Sequence, residues 1–147
     1  MTCGFEDQSI DTGRFILSRI NNENYHFHHI RFDCIQGEQG ELVFEPSDVE
    51  YYFEPVTIQE SGTSILKNEL ENSEDGAGQI GFQLSNDGTN EIQYGKSNYY
   101  SFQHPHEGSN QIPLFIRPRT YGNNVSSGQI MSRVKSWLCT TNLSPPP

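Results

Sequence analysis

Short runs in which apolar and polar residues alternate are the most restrictive feature of this sequence. Clusters of Gly, Asn, Asp and Ser separate these runs. A period of two places successive side chains on opposite faces of a strand, so the pattern predicts half-buried strands and no long helix. The predicted class is all-β, and eight strands suit a β-sandwich: 14–20, 26–34, 41–44, 51–58, 79–84, 91–94, 112–117 and 129–138.

Two connections can be predicted from local composition. Asp87-Gly88 supplies the positive φ that a hairpin turn needs between the strands at 79–84 and 91–94. The segment 61–78 is rich in glycine and acidic residues, so it is predicted to be a surface loop, with one helical turn near 65–70.

The chain length and the tail define the predicted domain organisation. A chain of 147 residues fits one domain. We expect that domain to span 1–142. The remaining residues, 143–147, end in three prolines that cannot donate ladder hydrogen bonds, so they are predicted to form an extended tail.

Charge and hydropathy exclude two classes of partner. The formal net charge of −10 disfavours a nucleic-acid partner, because an anionic backbone is repelled. No stretch approaches the roughly 20 apolar residues that span a bilayer, so membrane insertion is not expected. The chain has three cysteines, so one disulfide would leave one thiol unpaired, and no close cysteine pair predicts a zinc site.

Catalytic motifs are missing, and the histidines are the only metal-like feature. No G-x-S-x-G elbow is found and Cys139 has no histidine near it in sequence, so we expect no enzyme activity and no cofactor. His26 with His28, and His104 with His106, would form a zinc site if the two groups converged. We instead predict scattered surface histidines and no bound metal, since nothing in the sequence brings the two groups together.

Aromatic residues leave a further alternative open. Aromatic faces stack on sugar rings, and they also fill the interiors of strands. We favour the structural role for the candidate residues, which are Tyr51, Tyr52, Tyr99, Tyr100 and Phe102.

Motifs in the second half of the chain carry a family resemblance. The order is Gly-Gln-Ile-Gly-Phe-Gln-Leu at 78–84, a turn at Asp87-Gly88, Ile-Pro-Leu-Phe-Ile-Arg at 112–117, and Val-Ser-Ser-Gly-Gln-Ile at 125–130. This order resembles the C-terminal half of pilins assembled by the bacterial chaperone-usher pathway. Cys3 and Cys34 also match, because such pilins link the start of their first strand to the end of their second by a disulfide.

The resemblance implies a fold and a site. The implied fold is an immunoglobulin-like β-sandwich that lacks its seventh strand, and the implied disulfide joins Cys3 to Cys34 and leaves Cys139 out. A hydrophobic groove is expected beside the last strand, where a chaperone or donor strand binds. Its inward-facing residues, from the alternation aligned to the family, are Ile130, Ser132, Val134, Ser136 and Leu138. The opposite face carries Met131, Arg133, Lys135 and Trp137. Alternation alone would also fit an edge strand of a complete sandwich.

The resemblance also implies a function in assembly. A structural or tip-associated subunit of an extracellular adhesive fimbria would be exported through the periplasm and assembled by donor-strand complementation. Its expected partners are a periplasmic chaperone, an outer-membrane usher and neighbouring subunits. A donor extension should precede Cys3, where this sequence has two residues, so a trimmed fragment, the pilin domain of a tip adhesin and a terminal subunit all remain open. The alternatives are a carbohydrate- or metal-dependent tip adhesin that contacts a host glycan receptor, and an unrelated secreted binding domain with a complete sandwich.

Overall fold

A computed structural model describes residues 2–35 and 48–140, and the regular secondary structure of these residues is almost entirely β-strand. Within these ranges, no helix is long and apolar enough to cross a membrane. The strands in chain order are β1 (Thr2–Phe5), β2 (His26–Ile35), β3 (Asp48–Pro55), β4 (Ile80–Ser85), β5 (Tyr100–Gln103), β6 (Gly108–Thr120) and β7 (Val134–Thr140), with one 3₁₀ helix at Leu17–Asn22.

The strands form two antiparallel sheets. A four-stranded sheet has the order β1-β2-β6-β4, and a three-stranded sheet has the order β5-β3-β7. Every pair between these strands is antiparallel. The inner faces of the two sheets share one hydrophobic core. The predicted all-β sandwich is therefore confirmed.

Alternation along the central strands explains how that core forms. In β2, Ile30, Phe32 and Cys34 are buried while the residues between them are more exposed. In β6, alternate residues from Asn110 to Pro118 are buried. In β3, Val49, Tyr51 and Phe53 are each at most 3% exposed. Successive side chains of a strand point to opposite faces, so each strand contributes one apolar row to the core.

The strand predictions succeed for the central strands and fail at the periphery. The segment at 14–20 leads into the 3₁₀ helix instead of forming a strand, and it packs Ile20 on Ala77 and Ile80 in a second, smaller cluster. The list of strands predicted from alternation omits β1 and β5, which have only four residues each. Strands this short give too few periods for alternation to be detected. The predicted strand at 41–44 and tail at 143–147 lie outside the described residues.

The predicted hairpin forms only as a turn. Gly88 has a φ of +85°, as expected for this position. Ile92 N–H donates to the Leu84 carbonyl at 2.8 Å, and Ser85 pairs with Glu91 in an isolated bridge. No strand forms at 91–94, because Ile92 turns inward and is fully buried in the core.

The structure corrects the prediction that the segment 61–78 forms a surface loop. Ile65, Leu66 and Asn68 are at most 9% exposed, and no helical turn forms at 65–70. Leu66 exchanges both backbone hydrogen bonds with Phe82 of β4, at 2.8 and 3.0 Å. A β-carbon at Gly81 would lie 1.9 Å from the Leu66 carbonyl oxygen. This close backbone approach requires glycine at position 81.

Candidate strand-accepting groove

An apolar groove of about 770 Å³ lies between the beginning of β7 and the N-terminal segment of the chain. Both sheets contribute to its floor. Phe53, from the three-stranded sheet, is fully buried, and Leu114, from the four-stranded sheet, is 3% exposed. The apolar floor residues are Ile30, Phe53, Leu66, Phe82, Leu84, Leu114 and Ile116.

The beginning of the last strand forms one wall of the groove. Residues 131–136 all line it, so the predicted inward residues Ser132, Val134 and Ser136 lie there together with Met131, Arg133 and Lys135 of the predicted opposite face. Val134 is partly buried against the core. The strand β7 is the outermost strand of its sheet and pairs with β3. Within residues 2–35 and 48–140, no other strand pairs with it, so in this part of the chain its second edge has no partner strand.

Two of the predicted groove residues lie elsewhere. Leu138 packs on the main core cluster and does not line the groove. Ile130 packs against the smaller cluster of Ile20, Ala77 and Ile80. The alternation continues through both positions, but the structured part of the last strand begins only at Val134.

The N-terminal segment forms the opposite wall, which the sequence analysis did not predict. Phe5 and Ile10 are partly buried against the core, and residues 5–10 and Thr12 line the groove. After the end of β1, the Gln8 side chain bonds the backbone of β2 as a neighbouring strand would. It donates to the Arg31 carbonyl at 2.7 Å and accepts from the Arg31 N–H at 2.8 Å. In the sequence, the indication of a first strand here was Cys3, because it matches the cysteine at the start of the first strand in chaperone-usher pilins.

An ion pair fixes the backbone just before β7. Arg133 donates to both carboxylate oxygens of Glu69, at 2.8 and 2.9 Å. Thr57 donates to Glu69 at 2.6 Å and accepts from the Arg133 N–H at 2.6 Å. The hydrogen bonds from Arg133, and then from Thr57, hold the pKa of Glu69 below its ordinary value of 4.5.

Asn68 joins the buried segment to the chain that leads into β7. Its side chain donates to the carbonyls of Ala77 and Gln129, each at 2.8 Å. It accepts from the N–H groups of Leu70 at 3.0 Å and Met131 at 2.9 Å. Asn68 is 5% exposed, and these four bonds use both its donors and both acceptor positions. Asn68 therefore positions the β7 wall.

The disulfide lies at the other end of the sandwich. Cys3 and Cys34 are bonded and face each other in the β1–β2 ladder. Cys139 is a free, partly buried cysteine opposite Glu50 of β3. The disulfide therefore ties the N-terminal wall to the four-stranded sheet.

Comparison with solved structures identifies the fold. The P pilus rod subunit PapA is similar with a TM-score of 0.66 and 15% identity, covering 95% of this chain and 99% of that one. A chain from a chaperone-usher pilus structure concerned with rod uncoiling has a TM-score of 0.63 and 16% identity, covering 95% of this chain and 87% of that one. The chain has the fold of a chaperone-usher pilus subunit. No protein-family model and no curated protein sequence matches it.

The outer face of the pilin fold carries a row of aromatic residues. Tyr52 stacks on Trp137 with ring centroids 6.3 Å apart and meets Tyr99 edge-on at 6.1 Å. The Lys135 ammonium lies 4.0 Å from the Trp137 ring centroid, so one face of that ring is covered. The other aromatic residues considered for sugar binding belong to the core cluster or pack on it; they are Tyr51, Tyr100 and Phe102.

The histidines lie in two places: His26, His28 and His29 are in β2, and His104 and His106 are between β5 and β6. Among residues 2–35 and 48–140, no group of three or more His, Cys, Asp and Glu side chains is arranged to hold a metal ion. His26 contacts Glu23 at 3.2 Å, and His106 bonds the Glu107 carbonyl at 2.9 Å. Burial, and then the neighbouring His26, lower the pKa of His28, so it is neutral at pH 7.

A smaller polar pocket of about 220 Å³ lies beside Ser64, Glu91 and Tyr94. Its polar groups bond to one another: Ser64 donates to Glu91 at 2.9 Å, and the Tyr94 hydroxyl donates to the Ser64 carbonyl at 2.9 Å. Burial raises the pKa of Tyr94 well above 10. These internal bonds occupy the groups that a ligand would use, so the pocket is structural.

Proposed function

We propose that this protein is a subunit of an extracellular adhesive fimbria and that its groove accepts a β-strand from a neighbouring subunit. The observation that carries the proposal is the open edge of β7 beside an apolar groove. The pilin fold and the Cys3–Cys34 disulfide support it. A disulfide is typical of proteins exported through an oxidising periplasm.

The physical basis is strand addition. An inserted strand pairs its backbone with the free edge of β7 and places alternate side chains over the apolar floor. Its backbone bonds give affinity, and its side chains exclude water from the groove. Until such a strand arrives, the open edge favours aggregation. This hazard is the reason to expect a periplasmic chaperone and an outer-membrane usher as assembly partners.

Strand entry is expected to move one wall of the groove. The wall at 6–12 is joined to the edge of β2 at Arg31 through the Gln8 side chain. A side-chain contact with an exposed residue is replaced by water at little cost. We therefore expect the N-terminal wall to shift outward while β7, held by Asn68 and Arg133, stays in place.

A donor peptide with alternating apolar residues tests the proposal. Titrating the protein with this peptide should raise its thermal stability, because the ligand binds only the folded state; the gain is about 2.7 kcal/mol at 100 times Kd. Val134→Asp places a charge in the groove and should weaken peptide binding at least about tenfold. Lys96→Asp changes an exposed side chain that does not line the groove, and it should leave binding within about threefold.

Two results would contradict the proposal. One is a melting temperature that stays the same at every peptide concentration. This result is expected of a complete sandwich, which has no place for another strand. The other is an equal loss of binding in Val134→Asp and Lys96→Asp, which would place the peptide outside the groove. The tip-adhesin alternative, with a glycan or metal ligand, is not adopted, since the aromatic row is partly covered by Lys135.

A further inference from the structure

Lys135 places a positive charge at the rim of the groove. It lies in β7 and lines the groove, and its side chain is exposed. Its in-register neighbour in β3 is Glu54, but Lys135 makes no ion pair within residues 2–35 and 48–140. The ammonium instead lies 4.0 Å from the ring centroid of Trp137. A cation–π contact at an exposed site is weak, so a stronger partner can take this charge.

The second cation of the β7 wall is already paired. Arg133 also lines the groove, and its guanidinium donates to both carboxylate oxygens of Glu69, at 2.8 and 2.9 Å. A bidentate pair of this kind is among the stronger charge-assisted contacts and fixes the direction of the guanidinium. Of the two cations on this wall, Lys135 is therefore the one that can change its partner when a strand is inserted.

Strand alternation decides which residue of an inserted strand meets Lys135. A strand added to the edge of β7 places its residues beside those of β7, on the same face of the sheet. The residues beside Val134 and Ser136 face the floor of the groove, and the residue between them faces outward beside Lys135. Since the period of two is the same for both strand directions, this relation does not depend on the direction of the inserted strand.

The N-terminal wall carries the opposite charge. Glu6 and Asp7 line the groove on that side. Glu6 lies 3.7 Å from the Arg31 guanidinium and its side chain is 70% exposed, while Asp7 is also exposed. Solvent and salt screen exposed charges strongly, and this wall is the one expected to shift outward. Its repulsion of an inserted carboxylate is therefore weaker than the attraction of Lys135 in the adjacent strand.

We propose that Lys135 determines the specificity of the groove for a donor strand with an acidic residue at the outward-facing position between two apolar residues. The inference rests on the proposed strand-accepting function and names the class of strand that the groove prefers. On insertion, the donor carboxylate draws the Lys135 ammonium from the Trp137 ring into a cross-strand ion pair. A basic residue at the same position is disfavoured, because like charges directly opposite each other in a sheet repel.

A series of synthetic peptides tests this specificity. Every peptide has apolar residues at inward positions and threonine at outward positions, and one outward threonine at a time is replaced by glutamate, glutamine or lysine. Calorimetric titration gives Kd for each peptide with the unmodified protein and with Lys135→Glu, Lys135→Gln and Lys96→Glu. Lys96 is the matched control, because it is exposed, lies outside the groove lining and makes no ion pair within residues 2–35 and 48–140.

The expected preference belongs to one outward position. There the unmodified protein should bind the glutamate peptide about threefold to tenfold more tightly than the lysine peptide, with the glutamine peptide between them. The preference should reverse in Lys135→Glu, disappear in Lys135→Gln, remain in Lys96→Glu and shrink as the salt concentration is raised. The all-threonine peptide should bind all four proteins within about twofold, which would show that the variants keep the groove intact.

Two results would overturn the role of Lys135. The first is an equal Kd for the glutamate and lysine peptides at every outward position, or a preference for lysine throughout, which would assign the selectivity to Glu6 and Asp7. The second is a glutamate preference that persists in both Lys135→Glu and Lys135→Gln. Binding without charge preference leaves the strand-accepting function standing and removes only the specificity. If the all-threonine peptide binds none of the four proteins, the strand-accepting function itself is wrong.

Discussion

Replacing Asn68 by alanine removes the connection between the buried segment and the β7 wall. Four hydrogen bonds are lost: two to the carbonyls of Ala77 and Gln129, and two from the N–H groups of Leu70 and Met131. Each net bond contributes about 1 kcal/mol, and a buried backbone group left without a partner costs somewhat more. The Gln129 carbonyl keeps its bond from the Ala77 N–H at 2.9 Å. The expected loss is about 3 to 4 kcal/mol, a large share of the roughly 5 to 15 kcal/mol typical of a domain.

Urea unfolding followed by tryptophan fluorescence measures this loss through Trp137. Asn98→Ala is the matched control, because Asn98 is exposed and its side chain makes one bond, to the Tyr94 carbonyl at 2.8 Å. The control should cost no more than about 0.5 kcal/mol. A midpoint for Asn68→Ala equal to that of Asn98→Ala would refute the reasoning, because it would show that water replaces all four bonds without cost.

Asn68→Asp tests the same connection through its charge. The carboxylate keeps the two accepted bonds and loses both donated ones, so it faces two carbonyl oxygens in a buried site. Its pKa should therefore lie above the ordinary value for aspartate. A group whose pKa is raised in the folded state stabilises the fold more as pH falls. The difference in the free energy of unfolding between Asn68→Asp and the unmodified protein should therefore shrink between pH 7 and pH 4. A deficit that does not change with pH would contradict the buried position of this side chain.

Three further perturbations test the framework that supports the groove. Gly81→Ala should destabilise the protein by about 2 kcal/mol or more in urea unfolding, whereas Gly4→Ala, with no atom within 4 Å of the added carbon, should have little effect. Cys3→Ser opens a loop with a sequence separation of 31 residues and should cost about 3 to 4 kcal/mol; peptide mapping that found Cys139 in a disulfide would contradict this assignment. The folded pKa of Glu69 is lowered, so its stabilising contribution is complete above the unfolded pKa near 4.5 and is lost as pH falls further. Glu69→Gln should lose less stability than the unmodified protein between pH 5 and pH 3, and identical acid transitions for the two proteins would disprove this role.

The sequence by itself determined the rows of side chains that face the core. Alternation in β2, β3 and β6 depends only on the period of a strand, so it is readable from each segment alone. The same rule predicts that Ser132, Val134 and Ser136 share one face of the last strand. The order of motifs in the second half of the chain indicated the pilin fold, which the comparison with PapA shows.

Local patterns could not predict how distant segments meet. The segment 61–78 is polar in composition, yet its Leu66 enters the core by pairing with Phe82. Ile130 continues the alternation of the last strand but packs on Ile20 instead of the groove. Both outcomes depend on which surfaces the two sheets leave uncovered after they pack.

The groove itself was decided by tertiary structure. Its two walls come from the opposite ends of the described chain, near Phe5 and near Val134. The bond from Met131 to Asn68 spans 63 residues. Hydrophobic periodicity describes neighbours within one strand, whereas the position of a wall depends on hydrogen bonds between segments that become neighbours only when the sheets pack.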